Sequence, residues 1–223
     1  LYIIQLDESA GEGAYEKMEK MVDTGEIGLV VIDSYNALQP KKIIEDGLDS
    51  ANMGLHARMM SKVCAKVNNQ CSQYGTTFIF VGQYREKIGV IFGPSEVTQG
   101  GNALKFYTHM VFETSRSTTN DNSLFEGDST KGDKIGNLHK VKVLKNKLAS
   151  PFKKAQYNII YGDGIDKYQE IIDLGHEYEV GKLRGNGFTY KEVKYEVEEF
   201  KEKMKNDEKF FQEIRKKIFD IAI

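Results

Sequence analysis

The segment from Gln83 to Phe106 carries residue types that suit phosphate binding. Cationic side chains attract phosphate, and glycines let the backbone approach a ligand closely. Its apolar residues are costly to leave in water unless something covers them. An ordinary glycine-rich connection is the competing interpretation. The cations are Arg85, Lys87 and Lys105, the glycines are Gly89, Gly93, Gly100 and Gly101, and the apolar residues are Ile88, Val90, Ile91 and Phe92.

Polar side chains also follow two apolar runs that predict buried parallel strands. Asp33 and Ser34 follow the first run, at residues 27–32, and Gln83 comes shortly after the second run, at residues 77–81. Ligands of open α/β sheets bind at the carboxyl ends of strands. A carboxylate there can hold Mg²⁺ through water beside a nucleoside triphosphate, although many α/β proteins end a strand in Asp. The Gln83 amide could bind a γ-phosphate or only its own loop.

The surrounding pattern predicts the elements that position these residues. Helices are expected at residues 14–22 and 54–74, alternating with the two strands in a doubly wound core. Three later strands without intervening helices predict an antiparallel part of the sheet, at residues 110–114, 139–144 and 156–161. Residues 115–137 are polar and predict a mobile hairpin loop without chemistry of its own.

The end of the chain predicts a small appended module. A short helix at residues 165–174 closes the core, and the module begins at about residue 175. A hairpin near residues 187–195 is followed by two charged amphipathic helices, broken near residues 206–207. A solvated surface is the favoured interpretation of their lysines, with a weak duplex-DNA patch as the alternative.

Composition narrows the classes of function. The chain has 223 residues, 40% of them hydrophobic, and a net charge of −2. Extensive disorder and a globally basic nucleic-acid coat are therefore disfavoured. Cys64 and Cys71 predict core thiols of a reducing compartment, and the histidines show no ligand spacing. We expect a cytoplasmic protein without a membrane partner, because neither a signal peptide nor a membrane-length apolar run occurs.

Several longer motifs, in one order, resemble segments of the RecA family of DNA recombinases. The resemblance covers nearly the whole chain and weakens after about residue 174. It implies a RecA-like P-loop ATPase core over residues 1–174, with a mostly parallel twisted sheet and an antiparallel extension, and a small α+β carboxyl-terminal domain over residues 175–223. The motifs are VVIDS (30–34), NMGL and ARMMS (52–61), the glycine-rich segment (83–106), VKVLKNK (141–147), PFK (151–153) and IYGDGI (160–165).

One expected motif is absent. The sequence contains no G-x-x-x-x-G-K-S/T phosphate loop, which in RecA proteins precedes the matched part together with a catalytic glutamate. The chain also begins at Leu1 within a predicted strand. We therefore expect a fragment that lacks the amino-terminal portion and is inactive alone as an ATPase.

The resemblance implies ATP and Mg²⁺ as cofactors. It assigns Mg²⁺ binding through water to Asp33, support of that site to Ser34, and γ-phosphate sensing to Gln83. Lys145 and Lys147 would reach the ATP of a neighbouring protomer in trans, and Phe106 would lie in the same interface. The alternative for the two lysines is the solvent face of an edge strand.

The resemblance also implies two DNA-contacting segments. One lies at the start of the long helix, where unpaired backbone N–H groups favour phosphate. The other is the glycine-rich segment, whose apolar side chains suit stacking on bases. Phosphate and stacking contacts predict sequence-tolerant, salt-sensitive binding to single strands. The residues are Met53, Gly54, Arg58, Ser61, Arg85, Lys87, Ile88, Gly100, Gly101 and Asn102.

The function implied is ATP-dependent homologous recombination. The intact protein would be a DNA-dependent ATPase that forms head-to-tail helical filaments on single-stranded DNA and pairs it with duplex DNA, with roles in repair and the SOS damage response. Two alternatives stay open: a nucleic-acid-binding module without ATPase activity, and a RecA-fold helicase-type ATPase. A metabolic α/β enzyme is disfavoured, because no nucleophile–base pair stands out.

Overall fold

The computed structural model describes residues 2–3, 11–46, 54–86, 96–98, 101–116, 123–125 and 132–222. The chain divides into two compact units, Leu1–His109 and Met110–Ile223. Both contain helices and strands, so the predicted mixed α/β class is confirmed. Within the described part of the chain, no helix has the length and hydropathy needed to cross a membrane.

The first unit alternates helices with a parallel strand pair. Its elements are α1 (Gly11–Val22), β1 (Leu29–Asp33), a 3-10 turn (Tyr35–Ala37), α2 (Lys41–Glu45), α3 (Leu55–Tyr74), β2 (Thr77–Val81), β3 (Tyr84–Glu86), β4 (Glu96–Thr98) and α4 (Ala103–Tyr107). The predicted bounds of β2 agree with the structure, and those of α3 differ by one residue.

Helix α3 forms where the sequence places apolar residues on one face. Met59, Met60, Val63 and Val67 are buried along it, against residues of α1 and of the segment after β1. Left-handed glycines bound the helix at both ends, and the N–H of Gly75 donates to the carbonyl of Cys71. Glycine adopts this conformation without the steric cost that other residues meet.

Strands β1 and β2 pair in parallel, and Asp33 lies beside Val81 in the register. At the opposite end of the pair, the buried Thr76 hydroxyl donates to the carbonyl of Ile27 at 2.6 Å, and Thr77 N–H donates to Gly28 at 2.9 Å. These two bonds hold the beginnings of both strands together.

The prediction that β1 and β2 are buried strands is wrong for one face of the pair in the described structure. Exposure alternates along each strand, and Leu29 and Val31 remain 56% and 54% exposed. Only the opposite face, with Ile32, Phe78 and Phe80, packs on the core around α3.

The glycine-rich segment contains strand pairing that was not predicted. β3 pairs antiparallel with β4, with Arg85 beside Val97 in the register. A short hairpin therefore forms part of the segment that the sequence indicated as a loop.

The second unit contains the predicted antiparallel sheet. Its strands are β5 (Met110–Arg116), β6 (Ser123–Phe125), β7 (Lys134–Asn146), β8 (Lys154–Ile160) and β9 (Gly164–Ile165). β5 and β8 flank β7, and all pairings in this sheet are antiparallel. The prediction of a loop over residues 115–137 is wrong in part, because β6 pairs with β7 and β7 itself begins at Lys134.

The end of the chain forms its own hydrophobic cluster. Its elements are α5 (Lys167–Glu177), β10 (Lys182–Arg184), β11 (Gly187–Tyr190), β12 (Val193–Glu196), α6 (Val197–Asn206) and α7 (Glu208–Ala222). Three strands form the small sheet, rather than the two of the predicted hairpin.

The break between α6 and α7 lies where the sequence predicted it. Asp207 immediately precedes α7, and its carboxylate accepts the N–H of Phe210 at 3.0 Å. Helix α5 contributes Ile171 and Ile172 to the cluster that contains Phe188 and Phe200. This packing joins α5 to the elements that follow it; the domain boundary at residues 174/175 stays a prediction.

Candidate functional site

The carboxyl ends of β1 and β2 bring three predicted site residues together. Asp33 is the last residue of β1 and Ser34 follows it, while Gln83 lies two residues beyond the end of the neighbouring β2. The side chains of Asp33 and Gln83 are exposed, and Ser34 is half-buried. The edge therefore offers carboxylate, hydroxyl and amide groups to a ligand in solvent.

A buried asparagine links the two strand ends. Asn36 is 8% exposed, and its side-chain oxygen accepts the backbone N–H of Gln83 at 2.9 Å. The carbonyl of Asn36 accepts from the side-chain amide of Gln39 at 2.9 Å, and the carbonyl of Gln39 accepts from Gly11 at 2.7 Å. The loop after β1 is thereby attached to β2 on one side and to the start of α1 on the other.

Tyr35 fills the space beneath this connection. It is 3% exposed, and its ring makes an edge contact with Phe80 at a centroid distance of 6.4 Å. Burial raises the pKa of the Tyr35 phenol, and a hydrogen bond with the Asn36 side chain opposes that shift. The ring is therefore a neutral, packed support of the loop.

His56, in the first turn of α3, contacts the same loop. Its Nε2 lies 3.2 Å from the carbonyl oxygen of Tyr35, and the two rings stack with an interplanar angle of 24°. Its Nδ1 is buried without a hydrogen-bond partner among the described residues. No role was predicted for Tyr35, Asn36 or His56, and only their positions after a strand or at a helix start could have indicated one.

The two predicted DNA-contacting segments meet at the first turn of α3. Gly101 has a positive φ of 71°, and a β-carbon there would lie 2.9 Å from that of Ala57. Gly101 therefore packs closely on α3, a few residues from Gly54, which precedes the helix with φ of 81°. Asn102 is exposed and precedes α4.

The other predicted DNA contacts differ in what the structure describes. The exposed Arg58 lines a groove of about 360 Å³ between α1 and α3. The Ser61 hydroxyl donates to the Ala57 carbonyl at 2.8 Å. For Arg85 only the backbone, in β3, is described. Met53, Lys87, Ile88 and Gly100 lie outside the described residues.

The residues predicted to act between protomers belong to different units. Phe106 lies on α4 and is 73% exposed. Lys145, near the end of β7, lies beside Val111 in the register, and Lys147 follows the strand rather than belonging to it. Burial lowers the pKa of Lys145, and the positive charge of Lys147 lowers it further.

No group of three or more His, Cys, Asp or Glu side chains with metal-binding geometry occurs within the described ranges. A cation at Asp33 would consequently need water for most of its ligands. Mg²⁺ keeps several waters in this manner, so the exposed carboxylate beside the Ser34 hydroxyl fits it.

Comparison with known proteins shows which family this chain resembles. A family model described as the RecA N-terminal domain matches residues 1–166. The chain is 42% identical to protein RecA of Porphyromonas gingivalis over 220 residues, which are 98% of this chain and 62% of that protein. It is 46% identical to protein RecA of Pseudarthrobacter chlorophenolicus over 180 residues, 81% of this chain and 49% of that protein.

The fold and the strand ends define a mixed α/β protein with polar side chains at the carboxyl ends of two paired parallel strands. With the match over residues 1–166, the chain belongs to the RecA family. It spans between about half and three-fifths of the length of these relatives.

Proposed function

We propose that the complete gene product is an ATP-dependent DNA recombinase. The observation that carries the proposal is the meeting of Asp33 and Gln83 at adjacent parallel strand ends, joined through Asn36. One end offers a carboxylate for a hydrated cation, and the other begins the segment that bears Arg85. A nucleotide at this edge can therefore act on a DNA-binding segment directly.

In this proposal ATP and Mg²⁺ bind at the strand edge. Asp33 holds Mg²⁺ through water, and Ser34 supports that site with its hydroxyl. Bound Mg²⁺ neutralises charge on the transferred phosphoryl group. The Gln83 amide donates to the γ-phosphate and loses that partner after hydrolysis, which changes the order of the segment behind it.

Single-stranded DNA is the proposed ligand of the two segments that meet at α3. The start of α3 presents backbone N–H groups, and the glycine-rich segment adds cations and apolar side chains. The proposed contacts are Met53, Gly54, Arg58, Ser61, Arg85, Lys87, Ile88, Gly100, Gly101 and Asn102.

Protomers of the complete protein assemble head to tail in a helical filament. Lys145 and Lys147 act on the ATP of the neighbouring protomer, and Phe106 lies in the same contact. The lowered pKa of Lys145 is compatible with a cation that a phosphate would stabilise. We further propose that the filament pairs its DNA with duplex DNA, that the protein acts in repair and the SOS response, and that it is located in the cytoplasm.

ATP turnover of the complete gene product tests this function. We expect single-stranded DNA to stimulate hydrolysis, and Asp33→Asn to lower kcat by about 100-fold, because phosphoryl transfer depends on electrostatic stabilisation by the metal. Gln83→Ala should bind DNA but lose the tightening by nucleotide. DNA binding without any stimulated turnover would instead indicate a nucleic-acid-binding module, and closed rings in electron micrographs would indicate a helicase-type ATPase.

A further inference from the structure

Both ends of the glycine-rich segment are fastened to one continuous set of contacts. At its start, the N–H of Gln83 donates to Asn36. Toward its other end, Gly101 packs on Ala57 of α3. Tyr35 and His56 connect these two anchors. Tyr35 precedes Asn36 in the chain, and His56 precedes Ala57. The backbone carbonyl of Tyr35 accepts a hydrogen bond from Nε2 of His56.

We propose that Asn36 and His56 are positioning residues that form a clamp at the base of this segment and transmit nucleotide state to both of its ends. The proposal rests on the function proposed above and names residues through which Gln83 acts. Neither side chain is assigned a contact with the reacting atoms. Asn36 holds the backbone of Gln83, and His56 holds the first turn of α3 against the loop that follows Asp33.

Burial makes these contacts effective. Asn36 is almost inaccessible to water, so its side chain holds a fixed position from which its oxygen accepts the Gln83 N–H. Without this partly buried hydrogen bond the strand end loses its link to the loop after β1, so it would shift or open. Tyr35 stacks on His56 and packs on Phe80, which makes the loop between the two anchors a stiff connection.

The packing around Gly82 restricts movement further. A β-carbon on Gly82 would lie 2.8 Å from Cζ of Tyr35 and 2.9 Å from its hydroxyl oxygen. The backbone just before Gln83 therefore lies against the Tyr35 ring. A displacement of Gln83 toward a phosphate must move this ring or break the bond to Asn36, and either event reaches His56.

Affinity for a single-stranded oligonucleotide tests the clamp in the complete gene product, without nucleotide and with a saturating, slowly hydrolysed ATP analogue. The ratio of the two Kd values measures the coupling. We expect Asn36→Ala and His56→Ala each to reduce that ratio about fivefold, in line with the loss of one partly buried hydrogen bond. Asn36→Asp keeps an acceptor for Gln83 and should keep the ratio, whereas the exposed Asn69→Ala on α3 is the matched control.

The two effects should also be less than additive, because residues that act through one set of contacts couple in a double-mutant cycle. An unchanged ratio in Asn36→Ala, or an equal loss in Asn36→Asp, would overturn the role of the acceptor oxygen. Full additivity of Asn36→Ala and His56→Ala would overturn the shared clamp. Thermal melting of each variant shows whether the fold is retained.

Amide hydrogen exchange at Gln83 separates this inference from the proposed function. Asn36→Ala should accelerate exchange at the Gln83 N–H about fivefold, with no change in Asn69→Ala. If the parent protein shows no nucleotide-dependent DNA affinity, the recombinase proposal fails, while the exchange rate still decides whether Asn36 positions Gln83. Unchanged exchange in Asn36→Ala removes the physical basis of the clamp.

Discussion

The ring of Tyr35 occupies the space that a side chain at position 82 would need. A β-carbon on Gly82 would overlap the edge of the ring and lie 2.8 Å from its Cζ atom. Packing therefore requires glycine at this strand end. Backbone conformation does not, because the φ of Gly82 is outside the left-handed region.

Replacement of Gly82 by alanine should destabilise the first unit. We expect Gly82→Ala to lower the free energy of unfolding by about 1–3 kcal/mol, because added volume in a packed site displaces its neighbours. Urea unfolding measures this change. Gly28→Ala is the control, since a β-carbon there meets nothing within 4 Å. Tyr35→Leu should restore part of the loss in the double variant; no recovery would show that the ring is not the obstacle.

Acid should remove a contribution that Glu213 makes to the second unit. Its carboxylate accepts from Lys191 at 2.8 Å, from Tyr190 at 3.0 Å and from Lys217 at 3.1 Å. The hydrogen bonds from Lys191, Lys217 and Tyr190 lower the pKa of Glu213 from 4.5 to about 2. The stabilisation is therefore present above pH 4.5 and is lost as the pH falls toward about 2.

Thermal melts at several pH values test that contribution. Glu213→Gln should melt below the parent protein at neutral pH, and the difference should shrink as the pH falls from 4.5 to about 2. Glu202→Gln, at an exposed position of α6, is the control. A difference that does not vary over this range would contradict the proposed linkage.

The two cysteines should differ in reactivity. Both are free thiols; Cys64 is buried and Cys71 is half-buried. Burial raises the pKa of Cys64 to about 11 and also raises that of Cys71. At pH 8 the thiolate of Cys64 is then about 100-fold scarcer than in an ordinary thiol, so native Cys64 should react more slowly by at least that factor.

A disulfide-exchange reagent applied to Cys64→Ser and Cys71→Ser measures each remaining thiol separately. In urea both variants should react at similar rates. Rapid native reaction of the thiol in Cys71→Ser would contradict the burial of Cys64.

Salt dependence tests the glycine-rich segment. Arg85→Ala combined with Lys87→Ala should weaken single-strand binding by the complete protein and flatten its dependence on salt. Each lost phosphate contact removes about 0.7 from the slope of log affinity against log salt, so the slope should fall by about 1.4. Lys182→Ala with Lys216→Ala is a charge-matched control. An unchanged slope would place the DNA elsewhere.

Local patterns predicted the longer elements well. The apolar run at residues 77–81 and the periodic face of α3 identify their elements almost to the residue, because each pattern is long and bounded by glycine. The break between α6 and α7 was also predicted at its observed place, near Asn206 and Asp207. Short strands such as β4 and β6 were missed, because three residues carry little periodicity and form through their pairing partners.

Burial of the parallel strands could not be read from their composition. The apolar residues of β1 are compatible with a strand covered on one face or on both, and the structure distinguishes these. Similarly, α1 begins earlier than predicted, at Gly11, whose N–H bonds to Gln39 far along the chain. Contacts of this kind depend on the tertiary fold.

The candidate site was predictable only in outline. Asp33, Ser34 and Gln83 were expected at one sheet edge because parallel strands end together. The role of Asn36 was not predicted, because its hydrogen bond to Gln83 joins positions that are 47 residues apart in the sequence. An asparagine after a strand usually indicates a turn, and only the fold shows which backbone group it accepts.

The Thr76 hydroxyl bond to Ile27 has a consequence for tolerated changes in chain length. Each residue of a strand advances the chain by about 3.3 Å and alternates the side on which its side chain emerges. Deletion of one residue between Thr76 and Gln83 would withdraw the glutamine by that distance and turn it to the other side, even if every group near Asp33 were intact. Spacing in β2, as much as residue identity, thus sets what this edge can hold.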